Sequence, residues 1–252
     1  MAVELEVSMS HVYALWSTSY YIFVFMVLER KQALIYALVI YLITILMGIP
    51  HIDHIKIGDT LIQYYLSTLI YILVMYFFQN IVSGYLESDI LRKNAYYDAL
   101  TDVGNRRLVD SWLETEVKNS KNSNDIFSII YFDIDHFKQI NDEYGHDVGD
   151  HVLKEFASLV KKTIQSHHLF GRWGGDEFII LLKDQTKHEA VKLAETLKHT
   201  IENHPFRYVG HITTSFGITS FQTYDTAHTL MKSADQALYM AKNSGRNNVK
   251  TL

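Results

Sequence analysis

The 252-residue chain contains no cysteine, which excludes disulfides and thiolate metal sites. Proline is almost as scarce: Pro50 and Pro205 are the only two, and no Pro-rich linker, internal repeat or low-complexity tract interrupts the chain. Its parts are therefore expected to join through a helix rather than a floppy tether. A basic excess is lacking as well. With a formal net charge of −5 there is no surplus of Lys and Arg to neutralise a phosphate polymer, so nucleic acid is not expected as a partner. Charge is also nearly absent from the first third. Residues 1–82 carry eight charged side chains (Glu4, Glu6, Glu29, Arg30, Lys31, Asp53, Lys56 and Asp59), whereas the other 43 of 51 lie in residues 83–252. That break in composition places a domain boundary near Ser83.

What fills residues 1–82 is three uncharged apolar runs, residues 12–28, 33–49 and 61–82. Each comes close to the roughly 20 residues that a helix needs to cross the hydrocarbon core, so three transmembrane helices in a lipid bilayer are expected. A buried helical hairpin would demand a large surrounding core, which the chain cannot supply once a second domain is assembled. A cleaved signal peptide is not expected either, because the first eleven residues hold Glu4 and Glu6 and neither Lys nor Arg. The tight basic loop Glu29-Arg30-Lys31 should face the cytoplasm, leaving the first terminus and residues 50–60 outside. The third helix then ends in the cytoplasm, where Arg92 and Lys93 follow. Eight tyrosines between Tyr20 and Tyr76 sit at interfacial depth or must pack against neighbouring helices. In the outer loop, His51, Asp53 and His54 form an incomplete metal set and read as a polar connection. A sensory role suits this module, although the sequence does not specify its signal ligand.

Residues 83–97 (SGYLESDILRKNAYY) carry Leu86, Ile90, Leu91, Ala95 and Tyr97 at roughly helical spacing. This connector fits either a short dimeric coiled coil continuing the third helix or a plain amphipathic helix; barely two heptads do not decide between them. From Asp98 to the end, strand and helix patterns alternate. Residues 126–134 (IFSIIYFDI) are an almost unbroken apolar run expected to form a central strand covered on both faces. Helical stripes follow at 151–165, 187–204 and 227–243. Two short strands flank a Gly-Gly turn within 169–183, residues 211–220 are β-rich, and 248–252 form a last strand. The order implies an α/β domain with a mixed sheet and helices packed on it.

Two acidic clusters stand where packing alone would not put them. Asp133 and Asp135 close the central strand, and Asp176-Glu177 follow Gly174-Gly175 in the turn. If the strands are neighbours, Asp133 and Asp176 enter one site, where paired carboxylates can hold divalent ions for in-line phosphoryl chemistry. The glycines would let phosphates approach the backbone. Solvated turn carboxylates are the alternative.

Arg172–Phe178 (RWGGDEF) resembles the signature of the GGDEF diguanylate cyclases. Three further stretches in order support it: Asp98–Arg107 (DALTDVGNRR), Tyr131–Leu153 (YFDIDHFKQINDEYGHDVGDHVL) and Ala237–Asn247 (ALYMAKNSGRN). The resemblance covers about 150 residues and leaves the membrane module out. It implies a cytoplasmic domain with a nucleotidyl-cyclase or polymerase-palm-like fold, which the three expected spans would place on a multi-pass protein of the inner membrane. It also implies an enzyme that condenses two GTP into cyclic di-GMP with release of two pyrophosphates, across a homodimer, with two Mg²⁺ or Mn²⁺ per site. Carried onto this sequence, Asp133, the carbonyl of Ile134 and Asp176 would coordinate metal. Asn141 and Asp150 would read guanine, the backbone N–H groups of His136 and Phe137 would meet the β- and γ-phosphates, and Lys242 and Arg246 would neutralise the triphosphate. Lys138 would stabilise charge in the transition state, and Asp176, with Glu177, would assist deprotonation of the 3′-hydroxyl.

For single residues, packing readings stand beside these. Trp173 is read as packing, and Asp135 and Asp142 as holding helix starts. Asp102 and Gly104 replace the Gly and Pro common in the family's leading motif. The upstream Arg and Asp of the product-binding motif are missing, with Gln165-Ser166-His167-His168 in their place. Weak or absent feedback inhibition is therefore expected. Two other readings are an inactive domain serving as a GTP or cyclic-dinucleotide receptor, which would predict lost metal or phosphate residues, and a hybrid cyclase making cyclic GMP-AMP, which Asp150 argues against.

Overall fold

The structure, a computed structural model, describes residues 19–48, 55–123 and 125–252. The chain divides into two compact units, Met1–Ile90 and Leu91–Leu252.

In the first unit, residues 19–27 are helical (α1), followed by α2 (Arg30–Gly48) and the 42-residue α3 (Ile55–Tyr96), whose last turns pass into the second unit. Tyr21, Val24, Phe25, Ala33, Ala37 and Ile72 form its buried centre. Ala33 and Ala37, one turn apart, present no bulk to their neighbours, which lets helix backbones approach closely. Polar side chains tie the helices through backbone carbonyls. The Tyr41 hydroxyl donates to Tyr65 O at 2.9 Å, that of Tyr65 to Thr44 O at 2.7 Å, and Gln79 Nε2 to Phe25 O and Leu28 O at 3.0 and 3.1 Å. Outward, α3 presents Leu66, Ile70, Val74, Phe77, Phe78 and Ile81, all more than half exposed. Among the described residues one helical stretch, Gln63–Tyr96, is long and apolar enough to cross a membrane. Most of the expected second span lies in α2. The expected first span is described only from residue 19, and His51, Asp53 and His54 lie outside the described residues.

The second unit is a five-stranded mixed sheet ordered β2-β3-β1-β4-β5, made of β1 (Phe127–Ile134), β2 (Leu169–Gly174), β3 (Glu177–Lys183), β4 (Thr214–Ser220) and β5 (Val249–Thr251). Only the β4–β5 pair is parallel. β1 is buried along its whole length, as its unbroken apolar run requires. One face packs on α6 (His146–Thr163) and α7 (Lys187–Glu202) around Phe132, whose ring stacks with Phe170, Phe178 and Phe216. The opposite face carries Phe127, Ile129 and Tyr131 against α4 (Arg106–Ser123) and α8 (Ala227–Asn243). Short α5 (Phe137–Tyr144) links β1 to α6.

Helix α4 was not anticipated. Its buried stripe runs Val109, Leu113, Glu116, Val117, Ser120, so polar residues break the apolar repeat. Glu116 is tolerated there because Lys183 Nζ lies 2.6 Å from its carboxylate.

Strand β4 meets α8 almost backbone to backbone at Gly217. A Cβ there would lie 2.2 Å from Leu238 N and 2.3 Å from Ala234 O, and neither atom belongs to a side chain that can swing away. Gly217→Ala is therefore expected to destabilise the domain by about 3 kcal/mol, read as a lowered Tm of the full chain in detergent. An unchanged Tm would contradict this packing.

Candidate active site

The site is built at the end of β1. Antiparallel register sets Asp133 opposite Glu177 of β3 on one side and Ser215 of β4 on the other. Between Gly174 and Glu177, which still pair, Gly175 and Asp176 make the hairpin turn, with Gly175 at φ +41°. The Ile134 N–H points to Asp176 O at 3.4 Å, which draws the turn over the strand end. Three of the expected residues thus converge: Asp133, Asp176 and Glu177.

Asp133 is 7% exposed, and Lys242 of α8 places its Nζ 2.9 Å from Oδ2. Burial above all, then the neighbouring charge of Asp176, pushes the Asp133 carboxyl up to about 7; Lys242 opposes the rise and Glu177 adds to it. A carboxylate so strained by its neighbours is relieved by a cation. Among the described residues no cluster of three or more His, Cys, Asp or Glu side chains could hold a metal by itself. Two carboxylates and a main-chain carbonyl fit Mg²⁺ or Mn²⁺, since such ions keep several waters and take further ligands from substrate phosphates. Beside the cluster, burial and the Glu177 carboxylate raise the Tyr131 phenol, so this tyrosine stays neutral.

Three residues beyond Asp133, His136 adopts a left-handed conformation (φ 60°, ψ 22°) and precedes α5 without any side-chain cap. Gln139 N donates back to His136 O at 2.8 Å, which leaves the Phe137 and Lys138 N–H groups at the helix start beside the acidic cluster, in the arrangement that binds anions. Buried Phe137 anchors this turn. One turn on, about 6 Å along α5, Asn141 packs so tightly on α6 that a Cβ at Gly149 would fall 1.9 Å from its Oδ1. Asp150 follows Gly149 and is exposed. Lys138 and Arg246 are exposed and make no ion pair among the described residues, so neither is drawn into the acidic cluster.

Residues 95–248 match the family described as diguanylate cyclase, GGDEF domain. The chain belongs to this family. It is 37% identical over 175 residues to the response regulator PleD of Caulobacter vibrioides, a match covering 64% of this chain and 38% of PleD. The chain thus spans well under half of that relative's length. Among solved structures it resembles the coiled coil and GGDEF domain of DgcB from Caulobacter crescentus in complex with c-di-GMP. There the TM-score is 0.66 and the identity 26%, covering 69% of this chain and 94% of that one. It also resembles the active GGEEF domain of a diguanylate cyclase from Vibrio cholerae, with a TM-score of 0.56 and 38% identity over 58% of this chain and 96% of that one.

In this GGDEF domain the signature turn is braced by residues for which the sequence had suggested no role. Arg172 donates from Nε to Gly175 O at 2.8 Å and from an Nη to Asp98 Oδ1 at 3.0 Å. Asp98 also accepts from the Thr101 N–H and hydroxyl at 2.9 and 2.6 Å. Burial tends to raise its carboxyl, but these bonds and the guanidinium hold it below the usual range. Trp173 packs as expected, under the Arg106 guanidinium at 4.5 Å. Asp98 and Arg172 both lie in stretches already singled out, so opposite charge in two motifs was the available signal. The departure at Gly104 is accounted for: its N–H donates to Phe170 O at 3.1 Å, a bond proline cannot make.

Asp135 requires a correction. It does not hold the start of α5; its buried carboxylate accepts from the Thr213 and Ser215 hydroxyls, each at 2.7 Å, and from Asn247 N at 3.0 Å.

The raised Asp133 carboxyl carries a pH signature. Because its folded value lies above the unfolded one, the native state holds the extra proton between about pH 4 and 7. Metal-free protein must then lose stability as pH rises through that window. Asp133→Asn is expected to flatten the decline, raising Tm at pH 8 in EDTA and leaving it unchanged at pH 4. A variant less stable than wild type at pH 8 would contradict the assignment.

Proposed function

We propose that the chain is a membrane-anchored diguanylate cyclase that joins two GTP into cyclic di-GMP and releases two pyrophosphates. The observation that carries this reading is the convergence of Asp133, Asp176 and Glu177 beside Lys242 at the end of a buried strand. In this reading Asp133, Asp176 and the Ile134 carbonyl hold Mg²⁺ or Mn²⁺. Such an ion, when bound, lowers the pKa of the attacking 3′-hydroxyl and offsets charge on the α-phosphate.

The chain's own groups do the rest. The N–H groups of His136 and Phe137 receive the β- and γ-phosphates, and Lys242 and Arg246 neutralise the triphosphate. Asn141 and Asp150 read guanine; a carboxylate accepts from N1–H and the exocyclic amine together, a pair that adenine does not offer. Asp176, assisted by Glu177, takes the 3′-hydroxyl proton as the new phosphodiester bond forms and pyrophosphate departs. Lys138 is assigned to the charge that develops in that step. Each domain holds one GTP, so two domains must face each other and the active unit is a homodimer.

The membrane assignment has its own support. Exposed apolar side chains along α2 (Ile35, Leu38, Leu42, Leu46) and α3 make a surface suited to lipid rather than water. Three spans, with Glu29, the Arg30-Lys31 start of α2 and the GGDEF domain on the cytoplasmic side, are the proposed topology.

Full-length protein in nanodiscs, incubated with GTP and Mg²⁺, is expected to give cyclic di-GMP identified by mass, and Asp176→Ala none. GTP binding without product would favour the receptor reading. Gln165 and His168, at the positions of the missing Arg–Asp pair, line an open cleft of about 360 Å³. Added product is therefore expected to inhibit only by competing with GTP; non-competitive inhibition would contradict this.

A further inference from the structure

We infer that Asn247 is a positioning residue for the triphosphate-binding Arg246, held from two sides by Asp135 and Glu202; this rests on the cyclase reading of Arg246. After α8 the chain makes three left-handed residues in succession, Gly245 (φ 101°), Arg246 (φ 63°) and Asn247 (φ 43°). Glycine adopts this conformation freely, whereas arginine does so at a cost and only where surrounding bonds over-determine it. Those bonds are present. Arg246 N donates to Ala241 O at 3.2 Å, closing the end of α8. Asn247 N donates to Asp135 Oδ2 at 3.0 Å, and Asn247 Nδ2 donates to Glu202 Oε1, on the last residue of α7, at 2.8 Å. On the next residue, Asn248 O accepts from Phe216 N at 2.8 Å and starts the pairing with β4.

Arg246 therefore projects from a turn clamped at both ends, while its own side chain is exposed. A guanidinium on a fixed backbone loses less freedom when it closes on phosphate oxygens. The Asn247 Oδ1 is buried without a hydrogen-bond partner among the described residues, so Nδ2 is the bonded end of this side chain. That Nδ2 bond ties the turn to Glu202 at the end of α7. Because Asp135 also binds Thr213 and Ser215, the same carboxylate ties the phosphate turn to the end of β1, two residues from Asp133.

The test is calorimetric binding of 3′-deoxy-GTP, which lacks the attacking hydroxyl, to the full-length protein in nanodiscs with Mg²⁺, alongside Tm. Arg246→Ala sets the scale and is expected to weaken binding about tenfold. Asn247→Gly keeps the left-handed backbone and removes the bond to Glu202; it should weaken binding about fivefold, as should Glu202→Ala. Glu202→Gln, which preserves the accepting oxygen, should bind as wild type. On an Arg246→Ala background, Asn247→Gly should add nothing. A lowered Tm with unchanged affinity for Asn247→Gly, or a full additive loss in the double variant, would overturn the inference while leaving the reading of Arg246 intact. If Arg246→Ala itself binds as wild type, the triphosphate assignment fails and the inference falls with it.

Discussion

A carboxylate at the end of a strand with no solvent on either face is the constraint around which this domain is arranged. β1 is buried along its length and continues as the apolar centre of both sheet faces until Asp133. An isolated buried carboxylate would be neutral and inert. Here Lys242 offsets it, Asp176 and Glu177 oppose it, and the balance leaves the group near neutrality in its proton affinity. That poised state needs rigid neighbours. The hairpin turn is fixed by Arg172 and Asp98, α8 by its close approach to Gly217, and the residues after α8 by Asp135. Much of the fold outside the core serves to keep like charges close together.

The two compact units differ in what their surfaces carry. In the GGDEF domain large apolar side chains are interior and charges exterior. In the first unit Ala33, Ala37 and Gln79 face inward together with Tyr21, Phe25 and Ile72, while many other large apolar side chains face outward. That outward apolar surface fits the proposed lipid surroundings, in which close packing and polar ties hold helices together. The tyrosine hydroxyls that reach backbone carbonyls of other helices follow the same logic.

The strands and helices from residue 127 onward were legible because apolar periodicity was strong and glycines marked the signature turn. The expected strand 126–134 is β1 within one residue, and the turn fell between β2 and β3 as read. The apolar stripe at 151–165 falls within α6, and the polar, Gly-containing helical region expected before it holds the start of that helix at His146. α4 escaped notice because burial of Glu116 and Ser120 depends on tertiary partners, Lys183 among them, that a local pattern cannot reveal. The convergence of Asp133 with Asp176 and Glu177 was foreseeable from two motifs with a plausible strand pairing. The bond from Arg172 to Asp98 and those of Asp135 to Thr213, Ser215 and Asn247 were not, since each joins residues at least seventy positions apart through polar atoms with no periodic signature.

The central claim is that repulsion between Asp133 and Asp176 exists to be relieved by a divalent cation that arrives with nucleotide. Mn²⁺ can be followed directly by electron paramagnetic resonance, where binding removes the sharp signal of the free ion. Wild-type protein with 3′-deoxy-GTP is expected to deplete free Mn²⁺, and Asp133→Asn with the same nucleotide to leave the level set by nucleotide alone. Equal depletion by the two proteins would contradict the claim and separate the buried acid pair from metal binding.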